Sequence, residues 1–234
     1  MKKLSVLGSV ILAFCFGLQS FAIDVNIPLS NEKTSCKIAN SRQSGMQINF
    51  HFGDIAAVDV QTTRGVFTEL HMQDAYTTER IGAPALPAQK RLIAIPFGAE
   101  VTAKVINISD VKTIKLADFG ITNQVMPKQY DMPKNMKPEE VPFEYNADAY
   151  ASTRFNQSEM VKVEVLGTFR GLRIARVTVE PMRYNPSTRE LQVYSDIDVE
   201  INYTNADYAK TDKMFRATYS PFYNAPYQAF LNIE

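Results

Sequence analysis

Few residues in this chain have side chains that do covalent or metal chemistry. Past the N-terminal stretch there is one cysteine, Cys36, and there are two histidines, His51 and His71. A cysteine nucleophile needs a histidine within hydrogen-bond reach and a third group to orient it. Cys36 lies in a polar lead-in, His51 on the polar face of a strand pattern and His71 in a connecting segment, so they read as a surface thiol and two ordinary imidazoles. Neither HExxH nor paired-cysteine spacing occurs, which argues against a zinc site. Carboxylates pair at Glu139-Glu140 and at Asp196/Asp198. The second pair shares one face of a strand, a placement that suits calcium or acid-base work and equally suits a solvated strand face. No glycine-rich loop opens a helix, so there is no phosphate cradle.

The remaining concentration of reactive character is cationic. "VMPKQYDMPKNMKPEEVPFEY" spaces Lys128, Lys134 and Lys137 among Pro127, Pro133, Pro138 and Pro142. Prolines restrict the alternatives open to an unfolded chain. The stretch therefore reads as a long, stiff, exposed loop carrying ammonium groups, and long ordered loops tend to carry function.

Elements that hold such a loop follow from periodicity. In "MQINFHF", Met46, Ile48, Phe50 and Phe52 alternate with Gln47, Asn49 and His51, which predicts a half-buried strand. "AAVDVQTT" repeats the pattern, and "VTAKVINIS" and "VKTIKLAD" follow as two noisier strands parted by Ser109-Asp110. In the second half Val161, Val163 and Val165 share a face, and "GLRIARVTVE" continues with a change of parity between Ile174 and Val177, which predicts a bulge near Ala175 or Arg176. "RYNPSTRE" predicts a turn. The odd positions Leu191 to Tyr203 beyond it predict a long two-faced strand that pairs with its predecessor as a hairpin. No long helical periodicity follows the N-terminal stretch. The expected fold is all-β, an antiparallel β-sandwich with one long proline-rich loop.

The N-terminus bears on the compartment. Lys2 and Lys3, the apolar "LSVLGSVILAFCFGL" and the small residue Ala22 predict a signal peptide over residues 1–22, cleaved after Ala22, and a secreted or periplasmic product. Cleavage removes two lysines and no acids, so the balance of 25 basic to 25 acidic residues becomes 23 to 25. A nearly neutral chain gives no electrostatic footprint for nucleic acid or for an anionic membrane surface. With Cys36 alone after processing, no internal disulfide forms. Residues 23–45 read as a polar lead-in, 46–205 as the β domain and 206–234 as a tail rich in Tyr219, Phe222, Tyr223, Tyr227 and Phe230.

Two stretches carry a family resemblance. "GAPALPAQKRLIAIP", residues 82–96, resembles the G-x-P-x-LP element and following strand of the propeptides of gingipain-type cysteine peptidases, secreted proteases of Bacteroidota. "GTFRGLRIARVTVEPMRYNPSTRELQVYSDIDVEI", residues 167–201, is similar to the later segment of those propeptides, with the P-x-x-Y-N-P turn standing as Pro181, Met182, Arg183, Tyr184, Asn185 and Pro186. The resemblance implies a β-sandwich pro-domain that precedes a caspase-like cysteine protease domain, assists its folding and covers its active site. It implies no catalytic residue here, since the family's His-Cys pair belongs to the domain that follows, and no cofactor. Inhibitory-loop candidates are Lys128, Lys134 and Lys137, because such proteases favour basic residues. The alternative from another class is a stand-alone exported β-sandwich binding module without a protease partner. Pro84 and Pro87 then either stiffen a surface held against a partner or protect a sheet edge.

Overall fold

A computed structural model describes residues 24–30, 32–131, 134, 136–137 and 141–233. The signal-peptide assignment lies outside these residues. Among them the strands are, in chain order, β1 (Asp24–Ile27), β2 (Ser35–Arg42), β3 (Gly45–His51), β4 (Ile55–Thr62), β5 (Gly65–Met72) and β6 (Tyr76–Thr77). β7 (Pro87–Ile95), β8 (Glu100–Lys115), β9 (Val161–Phe169), β10 (Leu172–Val179), β11 (Met182–Asn185) and β12 (Glu190–Thr204) complete them. Helices are short: α1 (Ala147–Ala151), α2 (Tyr208–Thr218) and α3 (Asn224–Tyr227).

β12 is the spine. Its odd residues Leu191, Val193, Ile197, Val199 and Ile201 are each fully buried, while its even residues stay partly exposed, as the alternation predicts. One edge of β12 pairs antiparallel with β8 along its whole length, from Glu190↔Lys115 to Thr204↔Glu100. The other edge pairs with β11 and then β3, and β2 lies beyond β3. A second antiparallel sheet runs β6-β7-β10-β9, and a third runs β1-β4-β5. Ile48, Phe50 and Val199 of the first, Ile93 and Val177 of the second, and Ile55 and Leu70 of the third join one buried cluster. The sheets are layers around a shared core, the all-β antiparallel architecture that the alternation predicts.

Several local expectations differ from this structure. Residues 23–45, read as a polar lead-in, supply β1, paired with β4, and β2, paired with β3. β2 is an edge strand that turns only Cys36 and Ile38 toward the core and is irregular between Ile38 and Asn40, so it shows little periodicity. Cys36 is accordingly half-buried and not a freely exposed thiol, and burial pushes it up to about 11 against the opposing pull of Arg91. "VTAKVINIS" and the first five residues of "VKTIKLAD" lie on the single strand β8, and Leu116–Phe119 turn away from it as a short 3-10 helix. Asp110 of β8 takes left-handed backbone (φ 52°), but the pairing with β12 keeps one register on both sides of it.

The parity change in β10 is not a bulge in that strand. β10 pairs with β7 without interruption, and the irregularity lies opposite, on β9, where Leu166 is the extra residue. Leu172 and Ile174 simply face the other way, into a small outer cluster with Phe169, Phe215, Tyr227 and Phe230. The aromatic segment read as a tail covers that face. α2 starts on Asp207, whose side chain accepts from the Lys210 amide at 2.8 Å, and Phe230 forms a bridge with Leu92. The expected hairpin also differs. β10 belongs to the second sheet, and of the two strands that precede β12 in the chain β11 alone pairs with it. Pro181, which has no amide to donate, stands where the chain passes from one sheet to the other.

Ile197→Ala is expected to cost about 2–4 kcal/mol of unfolding free energy and Gln192→Ala close to nothing. Denaturant unfolding of the two variants beside the parent chain measures the difference.

Candidate functional site: a loop held at both stems

Residues 82–85 form a rail against which both ends of the proline-rich loop are fixed. On the outgoing side the Lys128 amide donates to the Ala83 carbonyl at 2.8 Å and the Ala85 amide to the Met126 carbonyl at 2.9 Å, which pairs Pro84 with Pro127 in an antiparallel bridge. The Gly82 amide donates to the Lys128 carbonyl at 2.8 Å, and on the returning side the Gly82 carbonyl accepts from the Asn146 amide at 2.9 Å. Gly82 has φ 76°, and a Cβ placed on it would lie 2.9 Å from the Asn146 nitrogen. Glycine is required there on both counts. Pro84 and Pro87 thus sit in the rail and at the first residue of β7, where a missing amide costs no ladder bond.

The outgoing stem is anchored further back. Val125 is fully buried and bridges Thr68 of β5 in parallel, with the Met126 amide donating to the Thr68 carbonyl at 2.7 Å. The Tyr150 hydroxyl of α1 donates to the Val125 carbonyl at 2.6 Å. Asn146 caps α1 by accepting from the Ala149 amide at 3.0 Å. From the P-x-x-Y-N-P turn, the buried Tyr184 donates its hydroxyl to Gln124 Oε1 at 2.7 Å, and Gln124 Nε2 donates to the Pro186 carbonyl at 3.0 Å. Burial pushes Tyr184 up to about 12 and raises Tyr150 as well, so both remain neutral donors. The two stretches that carry the resemblance, remote in sequence, therefore meet at one stem.

The returning stem is held by rings and by one amide. Phe143 packs on Phe67 with centroids 5.6 Å apart, and Tyr145 stacks on Tyr150 at 4.5 Å. Gln129 Nε2 donates to the Pro127 and Glu144 carbonyls, and Gln129 Oε1 accepts from the Glu144 amide, all at 2.9 Å.

Of the three candidate lysines, Lys128 stands on the rail. Its side chain is about a quarter exposed, with Nζ 3.8 Å from the fully exposed Asp131 carboxylate. Lys134 and Lys137 lie further out and are exposed. Pro133, Pro138, Glu139 and Glu140 fall outside the described residues.

A second constellation was not legible in the sequence. His51, expected on a polar face, is almost buried and lies between Ser30 Oγ (2.8 Å from Nε2) and Asp196 Oδ1 (2.9 Å from Nδ1). The order resembles a hydrolytic triad, but its surroundings do not support one. The Leu29 and Ser30 amides, which an oxyanion would need, donate to Asp54 Oδ1 at 2.9 and 3.4 Å, and Ser30 Oγ donates to the Glu32 carbonyl at 3.0 Å. A carboxylate occupies the place where negative charge would have to develop. The Asn26 side chain and the Leu29 and Ser30 amides hold Asp54 below the usual carboxylate range. With Lys112 donating to the Leu29 carbonyl, the cluster fastens the N-terminal strand. Asp198 accepts from the Asn49 and Asn107 side chains at 2.8 and 3.1 Å, so the paired carboxylates are bound within the sheet.

The Propeptide_C25 family matches residues 31–229. The chain belongs to that family. It is a propeptide domain of the gingipain type, and the catalytic domain is a different one. Lys-gingipain HG66 of Porphyromonas gingivalis is 33% identical over 232 residues, 99% of this chain and 13% of that protein. Gingipain R2 of the same organism is 24% identical over 199 residues, 85% of this chain and 26% of that protein. The Propeptide_C25 chain described here thus spans about an eighth of the length of the Lys-gingipain it matches. A solved structure concerned with the zymogenic latency of gingipain K from P. gingivalis is 33% identical with TM-score 0.72, covering 79% of this chain and all of that one. The complex of P. gingivalis RgpB pro- and mature domains shares the fold, with TM-score 0.66 at 20% identity over 87% of this chain and 98% of that one.

Gly82→Ala is expected to destabilise this propeptide by about 1–3 kcal/mol, through strain at positive φ and the clash with Asn146. Thermal unfolding gives the magnitude. Faster amide exchange at both Lys128 and Asn146 would locate the damage at the rail.

Proposed function

We propose that this chain is the exported pro-domain of a gingipain-like cysteine endopeptidase, inhibiting the catalytic domain of its precursor and aiding its folding. The observation that carries the reading is the fixing of both stems of the proline-rich loop to one rail, with a lysine at the point of attachment. A segment that blocks a protease cleft must be exposed, stiff and hard to displace, and an element already held in its bound shape loses less entropy on docking. Lys128 meets this condition best of the three candidates. Its backbone is fixed by the rail, and among the described residues its ammonium makes a long contact to an exposed carboxylate, which an acidic specificity pocket readily replaces. Lys134 and Lys137 follow further along the same loop and are exposed. The likeness to a Lys-gingipain supports a lysine-preferring partner, and the RgpB complex of pro- and mature domains supports a catalytic domain as that partner.

Export rests on the Lys2-Lys3 and apolar pattern ending at Ala22. Among the described residues no helix is long and apolar enough to cross a membrane. Intact-mass measurement of secreted material is expected to give a chain beginning at Ile23, and a start at Cys15 with an added lipid mass would contradict it.

Inhibition is tested with purified pro- and catalytic domains. Lys128→Ala is expected to raise the inhibition constant about 30-fold or more, the effect of removing one partner of a desolvated charge pair. The pair Lys134→Ala and Lys137→Ala is expected to act less strongly, and Lys210→Ala with Lys213→Ala on α2 to change nothing. A larger effect from Lys134 and Lys137 would move the specificity residue outward along the loop. Equal constants for all variants would remove the loop from the mechanism.

A further inference from the structure

We propose that Gln129 is the positioning residue of the loop, its side-chain carboxamide acting as a substitute strand that closes the loop mouth. This rests on the inhibitory reading above and assigns to one side chain the task of keeping the loop in its docking shape. The amide takes part in three hydrogen bonds of 2.9 Å, and the two to Glu144 engage both the N–H and the C=O of that residue, as a paired strand would. Its orientation is unambiguous, because the two carbonyls only accept and the Glu144 amide only donates.

The closure is local. Gly82 already ties Lys128 to Asn146, and Gln129 adds a second tie one step further out, directly beside the lysine on the rail. The stems keep independent anchors in Val125, Tyr150, Phe143 and Tyr145. Removing the carboxamide therefore opens the mouth without releasing the stems, and the backbone beside Lys128 loses the tie that holds it to Glu144. For an inhibitor this raises the dissociation rate and turns the loop into a better substrate, since a protease cuts segments that adapt to its cleft.

The test uses the purified chain and a lysine-specific gingipain-type catalytic domain. Gln129→Ala is expected to leave the melting temperature nearly unchanged, to lower the exchange protection of the Glu144 amide, and to weaken inhibition about tenfold or more through faster dissociation. Gln129→Glu separates positioning from packing. Above the titration of the new carboxyl it keeps one acceptor for the Glu144 amide but faces two carbonyls with no donor, and on acidification the protonated carboxyl regains one donor. Protection of Glu144 in this variant, normalised to intrinsic exchange, should rise as pH falls, whereas the parent chain stays level. Unchanged protection in Gln129→Ala would overturn the proposal, as would lost protection with unaltered inhibition. If the parent chain itself does not inhibit, the inhibitory reading fails and the positioning role falls with it, while the protection factors still report separately whether the closure exists.

Discussion

Gly82 presents its amide to one stem of a long loop and its carbonyl to the other, and this pair of hydrogen bonds sets how far apart the stems stand. Closing a loop costs entropy that grows slowly with its length, and here the cost is met at the base, where the backbone is already ordered by the neighbouring sheets. No side chain fits between the stems, and left-handed backbone is needed to turn both polar groups outward, so the position accepts only glycine. Pro84 and Pro127, bridged across the rail, have no amides to compete for the same carbonyls.

The sandwich serves this base. β5 supplies Thr68 to hold the outgoing stem, β11 supplies Tyr184, and α1 supplies Tyr150. Thr68 and Tyr184 lie on strands of two different sheets that share one buried core, so the outgoing stem is fixed to both. The C-terminal aromatic segment works on the opposite side of the second sheet. It covers Leu172 and Ile174 and gives that sheet apolar contacts on both faces.

The line of Ser30, His51 and Asp196 illustrates how context decides what a constellation does. The distances suit proton relay, yet Asp54 takes the amides that would stabilise an oxyanion, and the same groups instead fasten an edge strand. Polar residues on the inner part of a sheet edge need partners once buried, and here an imidazole supplies two contacts at once.

Strands with clean two-residue periodicity, foremost β3 and β12, were legible from residue order alone, because a strand buried on one face must alternate apolar and polar side chains. Residue order determined the all-β class, and it marked the proline-rich loop with its three lysines, since proline and exposed charge act locally whatever the fold. Edge strands β1 and β2 were not legible, for an edge buries too few side chains to show a period. The pairing of β10 with β7 instead of β12 was decided by contacts remote in sequence, and the apparent bulge at Ala175 was a second buried face that became visible only with the aromatic segment folded over it. The site divides the same way. Lys128, Lys134 and Lys137 were marked by their proline-rich setting and the family resemblance, whereas the bonds of the Lys128 backbone to Gly82 and Ala83 belong to the tertiary structure alone. Gln129, Tyr150 and His51 carry no local mark at all. Their roles arise from hydrogen-bond partners that distant segments bring within reach, and a single sequence does not encode such distances.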